Sequence, residues 1–154
     1  MNRSQRGAFP MKLRLAAIIA VCGITGTAFA HAEVTNEVVK ERMELMGTIR
    51  ANFAVIGGMV QGKVDFDAAK AGEAQAALAA AAAMIPEKFE ANETDPESEA
   101  SPAIWDNWDE FTGFAANLET AALALETDSV DSLKAGFGGI GGACGACHKA
   151  YRVD

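Results

Sequence analysis

Cys144-Gly145-Ala146-Cys147-His148, reached through the glycine-rich run from Val130 to Ala143, is the stretch whose reading decides the fold. C-x-x-C-H is the attachment signature of a c-type haem. Each thiol adds to one vinyl group, leaving two thioether bonds, and the adjacent His supplies an axial nitrogen to iron. The spacing has a physical reason. Positions three and four apart share a helix face, so Cys144, Cys147 and His148 address one side of a porphyrin. Two other readings compete. A thioredoxin-like C-x-x-C opens a helix within a βαβ pattern, whereas this one falls in about the last dozen residues. A zinc site needs further Cys or His ligands, and the remaining candidates are Cys22 and His31.

Outward from the motif, Val130, Leu133, Phe137, Ile140, Cys144, Cys147, His148 and Tyr151 form one apolar stripe at helical spacing. Gly136, Gly138, Gly139, Gly141, Gly142 and Gly145 each cost a helix up to ~1 kcal/mol relative to Ala. The stripe runs unbroken through them, so a helix that needs close approach is expected rather than a loop. Thr127-Asp128-Ser129 marks its start. Earlier, Val39, Met43, Met46, Ile49, Phe53, Ile56 and Val60 predict a first helix over about 35–60. Asp67 is the expected N-cap of an Ala-rich second helix running to about Ile85 and stopped by Pro86. Glu87 to Ser101 is polar and acidic and reads as the one long loop. Pro102 suits the first turn of a third helix, lined by Ile104, Trp105, Trp108, Phe111, Phe114, Leu118, Ala121 and Leu125. Trp105, Trp108 and Phe111 are most simply core. The expectation is an all-α protein: an antiparallel four-helix bundle with covalently bound haem on the last helix and no strand.

The amino terminus is read separately. Arg3, Arg6, Lys12 and Arg14 precede an apolar run, Leu15 to Ile24, and Ala28-Phe29-Ala30 supplies an A-x-A cleavage site. Residues 1–30 therefore read as a secretory signal peptide, with cleavage after Ala30 or, from Ala30-His31-Ala32, after Ala32. The apolar run is too short for a membrane span, and no membrane attachment is expected after cleavage. Val21 before Cys22 is a poor lipoprotein site, so Cys22 leaves with the leader and 31–154 forms the haem domain. Export to the periplasm agrees with haem c, which is attached outside the bacterial cytoplasm. Losing four of 13 basic residues and none of 21 acidic ones moves the formal charge from −8 to −12. That argues against nucleic acid and anionic membrane as partners, and fits a redox partner with a basic or mixed-charge docking surface.

The chain resembles the class II c-type cytochromes, that is, cytochrome c' and its low-spin, methionine-ligated relatives. The resemblance covers essentially the whole mature sequence. It is carried by the motif's place on the last helix and by the aromatic-Arg pair in His148-Lys149-Ala150-Tyr151-Arg152. The first-helix segment Arg42-Met43-Glu44-Leu45-Met46 and the third-helix start Pro102-Ala103-Ile104-Trp105 add to it. Gly145 departs from the Lys that many cytochromes c' carry between the cysteines, and is more in keeping with the low-spin branch. The resemblance implies one covalent haem c, and a homodimer through the first two helices is permitted by the small residues of the second.

His148 is the expected axial iron ligand. Met46 has two readings: a buried gap-filler, or, as the resemblance implies, a haem contact. If its thioether reaches iron, the haem is six-coordinate and low-spin, and His/Met ligation raises the potential. If it only caps the distal face, iron stays five-coordinate and open to NO or CO. Arg42 and Arg152 are either solvated surface residues or partners of the haem propionates and proximal face, a task suited to a guanidinium. Function follows the same fork. Single-electron transfer by a periplasmic monohaem cytochrome is the first expectation, NO/CO scavenging or sensing the alternative, and a haem-free binding protein with an incidental motif the third. Peroxidase-type catalysis needs a distal acid-base group, which Met46 and its apolar neighbours do not supply, so no enzyme activity is expected.

Overall fold

The computed structural model describes residues 34–153; the expected signal peptide with both candidate cleavage sites, Cys22 and His31 lie outside the described residues. Helix α1 spans Glu37–Val60. Asn36 caps it, its side-chain oxygen accepting from the Val39 N–H at 3.0 Å, and Glu37 adds a favourable charge to the first turn. The buried track is Val39, Arg42, Leu45, Ile49, Ile56 and Met59. This corrects the expected stripe at two places. Met43 points outward and is 47% exposed, and Met59 rather than Val60 is fully buried. From Val39, steps of three and of four both look helical in sequence, and the bundle uses the track through Arg42 and Leu45. Met46 and Phe53 lie half-buried beside it. At the α1–α2 turn Gly62 sits at φ 67°, a left-handed conformation suited to glycine.

Asp67 caps α2 (Ala68–Ala83) as expected, accepting from the Lys70 N–H at 3.1 Å. Its buried side is Ala71, Ala74, Leu78, Ala79, Ala81 and Ala82, small residues that let neighbouring helices approach closely. Pro86 does not stop this helix. The break comes earlier, at Met84, and Pro86 sits in the first turn of a short α3 (Ile85–Phe89), where its missing N–H costs nothing. The long loop is accordingly shorter, beginning after Phe89.

The expected third helix is two. Helix α4 (Ala103–Asp106) ends at Asn107, whose backbone leaves the helical region at φ −129°, ψ 47°. The Asn107 side chain donates to the Ala103 carbonyl at 3.0 Å, competing with the helical pattern as Asn commonly does. Helix α5 (Trp108–Leu123) follows. Helix α6 (Val130–Tyr151) starts at Ser129, whose hydroxyl accepts from the Ser132 N–H at 3.1 Å, and runs through all its glycines as expected.

The four long helices close into a bundle in which α1 packs on α2, α2 on α5, α5 on α6 and α6 on α1. Ile56, Leu78, Leu133 and Ile140 are fully buried at its centre, each worth roughly 1.5–3 kcal/mol of transfer free energy. The long loop returns to the end of α6. The Ser101 N–H donates to the Tyr151 carbonyl and the Val153 N–H to that of Glu99, both at 2.9 Å. The resulting antiparallel bridge, Ala100 with Arg152, is the nearest thing to a strand among the described residues.

Candidate functional site

The last two turns of α6 carry Cys144 and Cys147 as free, half-buried thiols packed against the core. Burial pushes the Cys147 thiol up to about 11, with Cys144 next to it adding to the shift, and burial likewise raises Cys144. Both thiols are therefore neutral, the reverse of the acidic thiolate that makes a C-x-x-C reactive in disulfide exchange. His148 follows at the helix surface. Partial burial first, then the charge of Arg152, lower its pKa, while Glu99 opposes them. A neutral imidazole is the form that ligates a metal. Among the described residues no group of three or more His, Cys, Asp or Glu comes together to hold a metal ion, so a protein-only zinc site finds no second pair of ligands there.

The seam between α1 and α6 gives these residues their direction. Phe53 of α1 stacks flat on Phe137 of α6, ring centroids 4.3 Å apart and planes 3° from parallel. A methyl group at Gly57 would meet the Phe137 ring at 3.0 Å, and one at Gly141 the Phe53 ring at 3.6 Å. The two helices thus run antiparallel, with 57 level with 137 and 53 level with 141. Seven residues is almost two full turns. Met46 therefore shares the seam-facing side of Phe53, Cys144 that of Phe137, and His148 that of Gly141. All lie about 10 Å further along the seam. Beside them a Cβ at the half-buried Gly47 would meet nothing within 4 Å, and Gly142 and Gly145 lie exposed at the helix surface. Two neutral thiols, an imidazole whose pKa is lowered and a thioether on the facing side of α1 fit a c-type haem. Cys144 and Cys147 would hold it covalently, and His148 would take the iron.

Arg42 is 2% exposed. Its Nε donates to the Lys88 carbonyl at 3.0 Å, its Nη1 to that of Glu93 at 2.9 Å, and its Nη2 to that of Ala91. The guanidinium also lies 5.2 Å from the ring centres of both Phe89 and Trp105. A solvated surface Arg is therefore ruled out, and the contacts seen are with α3, the loop after it and α4. Arg152 is half-exposed, pairs with Glu99 at 2.7 Å and lies within electrostatic reach of His148. Of the aromatics read as core, Phe111 is buried, while Trp105 and Trp108 pack partly buried on the cluster.

Three residues of the surrounding frame escaped the sequence reading. Asp95, 7% exposed, accepts from the backbone N–H groups of Thr35, Asn36 and Glu97 and from the Thr35 hydroxyl. Asp95-Pro96 with a bond two residues onward is a turn signal, but nothing in sequence ties it to α1. Glu110 accepts from the Tyr151 hydroxyl, and Glu99 takes Arg152. Both look like ordinary surface acids until the loop and α6 meet.

Together, fold and site define a four-helix bundle built to carry a c-type haem on its final helix. The Cytochrome C' family profile matches residues 37–152, and the chain belongs to that family. It is similar to cytochrome c' from Rhodopseudomonas palustris at 30% identity and a TM-score of 0.72, covering 77% of this chain and 98% of that one. Cytochrome c prime from Shewanella frigidimarina is 28% identical with a TM-score of 0.70, covering 77% and 95%. A nitric oxide complex of a mutant cytochrome c prime from Alcaligenes xylosoxidans is 26% identical with a TM-score of 0.69, covering 79% and 100%. No curated protein matches the chain. Family membership implies a covalently bound c-type haem.

Proposed function

We propose that this is an exported, periplasmic monohaem cytochrome that passes single electrons, with His148 and Met46 as the two axial groups. When bound, the haem supplies one-electron iron chemistry. The observation carrying this reading is the seam geometry: the face of α1 bearing Met46 opposes the face of α6 bearing Cys144 and His148, two turns beyond the Phe53–Phe137 stack. This chain's residues hold the cofactor, keep the imidazole neutral and line the site with apolar groups. We read the protein as a non-enzyme, because Met46 and the aromatic pair offer no group to move a proton.

The partner reading rests on charge. Residues 87–110 hold nine acidic side chains and one basic one, Lys88. This segment is hydrogen-bonded to the end of α6, so the negative field lies at the haem-bearing end. A redox protein with a basic docking face would be steered there. Met43 and Val55 of α1, Val64 and Phe66 in the turn, and Met84 after α2 are exposed, which supports a homodimer on that side. Arg152 remains a proposed partner of the proximal face, and Arg42, with three of its N–H groups already taken by backbone carbonyls, would reach a propionate only through those that remain. Among the described residues no helix is long and apolar enough to cross a membrane.

The second reading is a five-coordinate protein binding NO or CO, and it is favoured by the nitric oxide complex of the Alcaligenes relative. Visible spectra of oxidised and reduced protein, with and without CO, separate the two. Electron transfer with Met46 on iron gives a low-spin reduced spectrum and slow CO binding, accelerated by Met46→Ala. A high-spin reduced spectrum with fast CO binding in the wild type favours the gas-binding role.

A further inference from the structure

We propose that the Phe53–Phe137 stack is the inner wall of the haem slot, and that Phe53, together with Met46, sets how readily small ligands reach iron. This rests on the haem reading above. The two rings close the seam at their own level. Each is backed by a glycine on the opposite helix: Gly57 lies under Phe137, Gly141 beside Phe53. The glycines let the helices approach there: a Cβ added at Gly57 would come within 3.0 Å of the Phe137 ring. On the Met46 side of the stack a Cβ at the half-buried Gly47 would meet nothing within 4 Å.

Both rings also keep partial exposure, whereas Ile56 and Ile140 on the same helices are each 0% exposed. The stack therefore borders a space instead of filling the core. Phe53 lies on the face of α1 that carries Met46, seven residues away. It is the nearest large group on that face along the inward direction, since Ile49 between them belongs to the buried track. Removing its ring widens the slot on the side where a second iron ligand would enter.

The test uses haem-loaded protein and CO as the probe, in wild-type and Met46→Ala backgrounds, so that a thioether on iron does not limit the rate. Intact mass first establishes covalent haem in every variant. In the Met46→Ala background, Phe53→Ala should speed CO association at least tenfold, and Phe53→Leu by a smaller factor. Leu118→Ala, a core truncation on α5 outside this seam, is the control: it should lower the melting temperature and leave CO association within twofold. Phe53→Ala within twofold of its background, or an equal acceleration by Leu118→Ala, overturns the proposal and leaves the stack as packing. If Phe53→Ala does not fold, Phe53→Leu decides by the same comparison. A wild type without covalent haem fails at the mass measurement, before CO is added, and overturns the haem reading itself.

Discussion

Arg42 on α1 donates through Nη1 to the backbone carbonyl of Glu93, 2.9 Å away in the long loop. With its bonds to Lys88 and Ala91, one buried side chain anchors the segment that leads from α3 towards the end of α6. Burial pulls the pKa of this group below its ordinary value, with the charge of Glu93 acting the other way, and the guanidinium remains charged. Arg42→Ala leaves three carbonyls without their donor and should cost about 3 kcal/mol or more. Arg42→Lys should recover only a minor part, because an ammonium cannot serve three divergent acceptors from one plane. Urea denaturation of the three proteins measures this directly. Equal stability of the Lys variant and wild type would show that the fork geometry is irrelevant.

Asp95 makes the same loop sensitive to acid. The N–H of Glu97 first, then that of Thr35, hold its carboxyl below the usual range, with Asn36 and the Thr35 hydroxyl adding to them against the desolvation that raises it. A carboxylate whose folded pKa is depressed stabilises the fold fully above its unfolded value, about 3.9, and loses that contribution as pH falls through the folded value. Stability should therefore drop below about pH 4. Asp95→Asn should be less stable near neutrality and show a shallower acid limb. Parallel acid limbs in the two proteins would remove Asp95 as a cause.

The α6 glycines are not equivalent. A Cβ at Gly136 would meet Leu125 Cδ1 at 2.6 Å, whereas one at Gly138 meets nothing within 4 Å. Gly138→Ala should stabilise by up to ~1 kcal/mol, the ordinary propensity gain. Gly136→Ala should lose about 1 kcal/mol net, because displacing buried Leu125 outweighs that gain. Thermal melts of the two variants check the order, and stabilisation by Gly136→Ala would mean that Leu125 yields freely.

These contrasts show what sequence could and could not carry. The motif, the Asp67 cap and the helical stripe of α6 are local signals, and the structure keeps them. The α1 track was ambiguous because Met43 and Arg42 fit the same periodicity, and only tertiary packing chose the charged one. It could do so because the carbonyls of Lys88, Glu93 and Ala91, some fifty residues away in sequence, satisfy the guanidinium. The break at Asn107 depends on one side chain bonding back to Ala103, a choice that an otherwise continuous apolar pattern hides. Phe53 and Phe137 were each legible as core, but their stacking needs the register between α1 and α6.

His148 and His31 should differ sharply under substitution. His148→Ala removes the proposed proximal ligand while both thioethers can still form, so the spectrum and reduction potential should change strongly. His31→Ala should change neither. Redox titration followed optically measures both, and equal effects from the two substitutions would contradict the ligand assignment.

Everything proposed for this site depends on Cys144 and Cys147 carrying a covalent haem. Intact mass of the denatured, exported protein, read beside retention of colour through acid-acetone extraction, tests it most directly. The expected result is a mature chain beginning after residue 30 or 32, plus one haem, with retention lost or weakened in Cys147→Ala. A wild-type chain at the bare polypeptide mass, its haem extracting freely into acid-acetone, would contradict it.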